Sequence, residues 1–284
     1  MLKEKPLVSI ITPSYNQGEF IEDTILSIKN QDYSNIEHII IDGGSTDNTL
    51  KILKKYKSIY NMQWISETDE GQADAIDKGI KMAKGSILAW LNSDDYYLHE
   101  QVISKVVYFF ELYKSVHVVT GNGYYVDEER KFLSPIVIKK DLIYLKYMKF
   151  GDFILQPSTF FKREIEEKVS IDKNYTYAFD WLFFLNIFEE KFNVLVVDDF
   201  LSAYRVHSKH KTGEDNAKRK KEVAKIIKRN FGIFKLQTLY CYIIYWLYSF
   251  SEFLPNPIGR YLKNFIKGIN AIMSKLTFYR IYSC

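Results

Sequence analysis

Two cysteines in 284 residues, Cys241 and Cys284, are too few and too far apart to suggest a disulfide framework or a zinc site, and they fit a reducing compartment. The first residues, Met1-Leu2-Lys3-Glu4-Lys5-Pro6, lead straight to the first strand and lack the apolar length of a signal peptide. Between Lys235 and Glu252 lie 16 uncharged residues. As a helix these would cover about 24 Å, short of a bilayer core of roughly 30 Å, so a spanning segment is not expected. Internal repeats and low-complexity tracts are missing. The loop Pro13-Ser14-Tyr15-Asn16-Gln17 carries no basic residue, which argues against a nucleotidyltransferase with a triphosphate-gripping loop. No nucleic-acid-binding motif accompanies the basic residues either, so a nucleic-acid partner is not expected.

What is present is an alternation of short apolar runs with helical spacing. Val8 to Thr12 is β-rich and closes at Pro13, and Glu19 to Lys29 then sets Phe20, Thr24, Ile25 and Ile28 on one helical face. Ile36 to Ile41 is a second strand, ending in Asp42-Gly43-Gly44-Ser45-Thr46-Asp47 before a helix through Leu50, Ile52 and Leu53. Met62 to Ser66 reads as a third, and Gly71 opens a helix that stops at Lys84-Gly85. The fourth, Ile87 to Leu91, ends in Asn92-Ser93-Asp94-Asp95. Such alternation predicts an α/β fold with a mainly parallel sheet and right-handed crossovers. The loops at Tyr15-Asn16, Asp42 and Asp94 then converge on the carboxyl edge, where open α/β sheets bind ligands.

Two adjacent carboxylates at the end of a buried strand need either full solvation or a neutralising cation. A divalent metal carrying a diphosphate is the specific form of the second option; a polar exit turn is the plain one. Asp42 can accept a hydrogen bond from a base or ribose, and Gly43-Gly44 lets backbone come close without a Cβ. Ser45 or Thr46 is also a candidate helix cap, with Asp47 favoured by the dipole.

Val8 to Asn16, Ile41 to Asp47, Gly71 to Gly79 and Asn92 to Asp95 together resemble the nucleotide-sugar domain of family 2 glycosyltransferases, over roughly residues 6 to 207. The resemblance implies a GT-A fold, a Rossmann-like sandwich, and an inverting transfer from a nucleotide diphosphate sugar donor to a glycan or lipid-linked acceptor. It implies donor contacts at Pro13, Tyr15, Asn16, Asp42, Gly43, Gln72, Asn92, Asp94 and Arg205. Mg²⁺ or Mn²⁺ would be held by Asp94, with His207 of the closing Tyr204-Arg205-Val206-His207 segment as a second ligand. The chain departs from the family at Asn92, where an acidic residue is usual and where hydrogen bonding to ribose or water is expected instead, and at Asp77, which is expected to face solvent. Leu155 to Phe161 is similar to the acceptor-side strand. Tyr177 to Leu182 matches the segment holding the base, with Phe179-Asp180 where relatives have Glu-Asp. Asp180 is therefore the expected catalytic base, also suited to N-capping the apolar helix that follows, with Asp152 and Asp172 next in line. The loss of two carboxylates leaves a non-catalytic sugar-nucleotide-binding protein as the alternative.

Charge divides the chain. Residues 205–284 hold 16 Lys and Arg against 4 acidic residues, a net of +12, whereas residues 1–204 hold 23 against 31, a net of −8. A catalytic domain over 1–210, with halves at 1–97 and 98–210, and a basic, aromatic helical tail over 211–284 are expected. The tail predicts peripheral contact of residues 231–284 with the cytosolic face of the membrane, with Tyr242, Ile243, Ile244, Trp246 and Leu247 inserting.

Overall fold

A computed structural model of the protein describes residues 5–208, 217–232 and 236–276. In the first half the expected alternation is present: β1 (Val8–Ser14), α1 (Ile21–Lys29), β2 (Ile36–Asp42), α2 (Thr49–Tyr56), β3 (Met62–Ser66), α3 (Gln72–Met82) and β4 (Ile87–Trp90). β1 pairs in parallel with β2 and β4, and β2 with β3. Pro13 lies inside central strand β1 but beyond its last pair with β4, Ile11 to Trp90, so the missing N–H forfeits no ladder bond.

The second half departs from a mainly parallel sheet. It runs through β5 (Tyr96–Tyr97), α4 (Val102–Leu112), β6 (Val118–Val126), β7 (Phe132–Ile136), α5 (Leu145–Met148), β8 (Thr159–Lys162), α6 (Phe179–Glu189) and β9 (Val194–Arg205). The sheet order is β3-β2-β1-β4-β8-β6-β9-β5, with β7 on β6. β8 is antiparallel to both β4 and β6, β7 to β6 and β5 to β9, and only β6 with β9 is parallel here. Only β6 and β7 are joined by a short hairpin connection; the other antiparallel pairs, β4 with β8, β6 with β8 and β5 with β9, bring together strands distant in sequence.

Successive strand residues feed opposite faces. Ile11, Leu88 and Trp90 point into a core with Ile76 and Ile80 of α3 and Phe183 and Phe184 of α6, while Ile10, Ala89 and Leu91 meet Val102, Val106 and Phe110 of α4. A Cβ at Gly79 would overlap the Ile11 side chain, so glycine there is what lets α3 lie close on β1.

Three helices follow: α7 (Ala217–Phe231), α8 (Leu236–Phe253) and α9 (Ile258–Leu276). α7 buries Val223, Ile226 and Ile227 in the same core as α6. α8 and α9 add Cys241, Ile244 and Ile266. Ile244 is thus in the core, against the expectation that it inserts in a membrane, and Tyr242 and Leu247 pack against that core. The exposed face of α8 is Leu236, Leu239, Ile243, Trp246 and Phe250, spaced three and four apart. Cys241 is disulfide-bonded, against the expectation of no disulfide framework; Cys284 lies outside the described residues. Among the described residues no helix is long and apolar enough to cross a membrane.

Candidate active site

Two cavities open at the carboxyl edge of β1, β2 and β4 and share Gln72, Asn92, Asp94 and Thr176. The first, about 580 Å³, is lined by Pro13, Tyr15, Gly43, Asp69 and Gly71 as well. The second, about 440 Å³, is lined by Asp152, Gln156, Tyr177, Asp180, Tyr204 and Arg219 among others.

The turn after β4 separates its two carboxylates. Asp94 faces both cavities, while Asp95 is buried, its Oδ1 accepting the Arg205 backbone N–H at 3.0 Å and its Oδ2 the Asn92 side chain at 3.3 Å. Burial, and then the charge of Asp94, push the Asp95 carboxyl well above the usual carboxylate range. The strain expected of adjacent carboxylates is thus met by turning one inward. Asn92 accepts from Gln72 Nε2 at 2.8 Å and donates to Gln156 Oε1 at 3.2 Å, so it ties α3, β4 and the segment before β8 together.

His207 brings Nε2 to 3.0 Å from Asp94 Oδ2, with its ring 4.6 Å from that of Phe20. Asp94 lines both cavities while His207, 4% exposed, lines neither, so the pair would offer a divalent cation two donors and leave its other positions to phosphate oxygens and water. Arg205 is placed differently from expectation. It is 2% exposed and lines neither cavity; Nε donates to Asp94 O, Nη1 to Glu128 O and Nη2 to Asp23 Oδ2 at 2.7 Å. Phe20 and Tyr96 flank the guanidinium. It braces the Asp94-Asp95 turn.

Asp42 also works inside the protein. It is fully buried, accepting from Gly44 N, Ser45 N, Ser45 Oγ and Ser66 Oγ, and it is absent from the cavity walls. Its four acceptor sites are used to fold the loop that presents Gly43. Asn16, at φ 51°, accepts from Thr46 N and likewise lines neither cavity. Tyr15 is 61% exposed on the wall of the first cavity. Asp47, rather than Ser45 or Thr46, covers the start of α2, accepting from Thr49 N and from Gly18 N. Asp77 forms a 2.7 Å ion pair with Lys81 instead of simply facing solvent.

Asp180 is the second residue of α6, whose N-cap is Ala178, so it is not itself the cap; its Oδ1 accepts Trp181 N. Asp152 lines the same cavity, and burial followed by the charge of Asp180 raises its carboxyl well above the usual range. Asp172 bonds Asn174 N and does not line either cavity.

Sequence reasoning missed Asp69, Gln156 and Arg219 as cavity residues. Asp69 sits beside Gly43, where a Cβ would come 2.9 Å from its Oδ2. The Glu67-Thr68-Asp69-Glu70 run ahead of Gly71 was the available signal.

The model of glycosyl transferase family 2 matches residues 9–170, more than half of the chain. The chain belongs to glycosyl transferase family 2. The family 2 chain is 31% identical over 208 residues to UDP-Glc:alpha-D-GlcNAc-diphosphoundecaprenol beta-1,3-glucosyltransferase WfaP of Escherichia coli, covering 71% of this chain and 78% of WfaP. It is 31% identical over 150 residues to an uncharacterized glycosyltransferase of Haemophilus influenzae, covering 52% of this chain and 59% of that one. Of the first curated relatives it matches, the chain spans from 18% to 61% of their own length. The S. aureus TarS 1–349 structure aligns with a TM-score of 0.64 at 19% identity, over 86% of this chain and 71% of that one. PcManGT of Pyrobaculum calidifontis, solved with GDP-Man and Mn2+, aligns with a TM-score of 0.59 at 16% identity, over 99% and 84%. The fold is therefore of the GT-A type.

Proposed function

We propose that the protein is an inverting glycosyltransferase that binds a nucleotide diphosphate sugar in the first cavity and an acceptor hydroxyl in the second. The observation that carries the proposal is that the two cavities meet at Asn92 and Asp94, with Asp180 across the second. Tyr15, Gly43 and Asp69 suit the nucleotide, and Gln72 and Asn92 the ribose or sugar hydroxyls. Asp94 and His207 would hold Mg²⁺ or Mn²⁺, supplying positive charge for the diphosphate leaving group. TarS solved with UDP-GlcNAc and PcManGT with GDP-Man and Mn2+ support this reading.

Asp180 takes the proton of the acceptor hydroxyl as its oxygen attacks the anomeric carbon. The bond from that carbon to the diphosphate oxygen breaks on the opposite face, and the leaving group keeps the electron pair. One displacement inverts the configuration. Holding both reactants at the junction supplies much of the acceleration.

The acceptor class is read as a lipid-linked or surface glycan, by similarity to WfaP, which the words of its name place on a diphosphoundecaprenol-linked sugar. The exposed apolar face of α8, the exposed Ile258, Tyr261 and Phe265 of α9 and the exposed Arg260 and Lys267 support peripheral docking on an anionic membrane surface. Catalytic and membrane roles are accordingly assigned to residues before and after about 232.

The test is release of nucleoside diphosphate from a panel of nucleotide sugars with Mn²⁺ and a lipid-linked acceptor. Release that requires both acceptor and metal is expected. Binding of a nucleotide sugar with no release under any combination would mark a non-catalytic receptor.

A further inference from the structure

We propose that Glu222, delivered by α7, is a positioning residue that sets the backbone carrying the candidate base Asp180, an inference that rests on the proposed role of Asp180. A helix start leaves backbone N–H groups without helical partners, and a side chain at the N-cap commonly meets them. α6 has Ala178 there, which offers nothing. Glu222 instead holds, from 44 to 46 residues away, the turn that leads into that start. Its Oε1 accepts Thr176 N at 2.9 Å, and its Oε2 accepts Tyr177 N at 2.8 Å and Ala178 N at 3.1 Å.

The clamp is rigid on both sides. Glu222 is 5% exposed, and Val223, Ile226 and Ile227 beside it are locked in the core around α6. Hydrogen bonds to a carboxylate are about twice as strong as neutral ones, so three on one group define the strand of backbone they hold. That backbone is cavity wall: Thr176, Tyr177, Phe179 and Asp180 all line the second cavity, and Thr176 lines the first as well. One turn earlier on α7, Arg219 lines the same cavity. The helix beyond the family-matched residues 9–170 therefore completes the wall that presents the base.

Glutamine at 222 keeps the size but presents an NH₂ where an acceptor is required, so at least one of the three N–H groups faces a donor. The base then shifts, and misplacement by about 1 Å costs roughly 10²-fold in rate.

In the full chain, E222Q should lower kcat by about tenfold or more, while the KM for donor and the affinity for nucleoside diphosphate stay within about twofold. E222D keeps the acceptor oxygens at shorter reach and should recover part of kcat. Rates are taken per folded molecule, well below each variant's melting temperature, so lost stability alone does not move them. Folded E222Q with parental kcat, or with a loss confined to donor KM, overturns the proposal. If E222Q does not fold, E222D decides: parental kcat overturns and reduced kcat at unchanged donor KM supports. D180N run in parallel separates the two ideas. If D180N is inactive and E222Q is parental, only the role of Glu222 fails, whereas full turnover in D180N removes the base assignment and this inference together.

Discussion

The imidazole Nε2 of His207 stands 3.0 Å from Asp94 Oδ2, across 113 residues of chain, and the fold brings them together by running β9 antiparallel to β5 just after the Asp94-Asp95 turn. Asp94→Ala should abolish Mn²⁺-dependent binding of nucleoside diphosphate, and His207→Ala should weaken it by roughly 10- to 100-fold. Titration calorimetry with and without metal checks both. Unchanged Mn²⁺-dependent affinity in the Asp94 variant would falsify the assignment.

Asp180→Asn should keep the fold and donor affinity while turnover drops by about 10² or more, because the amide still accepts Trp181 N but cannot take a proton. Turnover at saturating donor and acceptor is the measurement. Near-normal turnover would move the base to Asp152.

Asp180→Asn also tests how the two carboxylates interact. Asp152 is held above the usual range by burial and then by the charge of Asp180. Removing that charge should bring the Asp152 carboxyl down towards the usual range, followed by carbon NMR of that carboxyl across pH. An unmoved Asp152 titration in the variant would show that the pair does not interact.

Arg205→Lys should cost about 3 kcal/mol of stability, since a single ammonium cannot replace three directed N–H bonds at a buried site. Urea unfolding checks the figure. Unchanged stability with a selective loss of donor affinity would instead return Arg205 to the diphosphate.

His38 supplies a pH dependence of folding. It is fully buried between Thr12 Oγ1 and Tyr60 OH, and burial lowers its pKa to about 3. With the folded value depressed, the contribution is complete above the unfolded pKa of about 6.5 and drains as pH falls from there toward 3, by up to about 1.4 kcal/mol per pH unit. His38→Gln should flatten that slope in urea melts at pH 6 and pH 4. An equal slope in the variant would assign the acid sensitivity elsewhere.

The β1 to β4 framework was legible because each strand is a short apolar run closed by turn residues, and Met62–Ser66 falls on its observed ends. Tyr15, Gly43, Asn92 and Asp94, which lie just past those strands and line the cavities, were legible as loop positions for the same reason. That Asp42 and Arg205 line neither cavity was not legible, because motif position says nothing about which way a side chain turns: buried, each spends its bonding capacity on backbone and neighbouring side chains. Glu222 was illegible because its three partners are backbone N–H groups, which carry no residue-type signal. On α8, composition identified an apolar segment but not its phase, so Ile244 was expected outside and Ile243 and Trp246 alone of that group are exposed.

The dependence of the α6 start on Glu222 also has a consequence for how the protein is made. Asp94 leaves the ribosome well before the residues that hold the opposite wall of its cavity, and at about 5–20 residues per second the interval to Glu222 is roughly 6–26 s. During that time β1 to β4 can pair among themselves, but the cavity has no fixed far side. Nascent chains arrested shortly after His207 should therefore capture nucleotide weakly and catalyse nothing, so that donor sugar is not turned over by unfinished polypeptide.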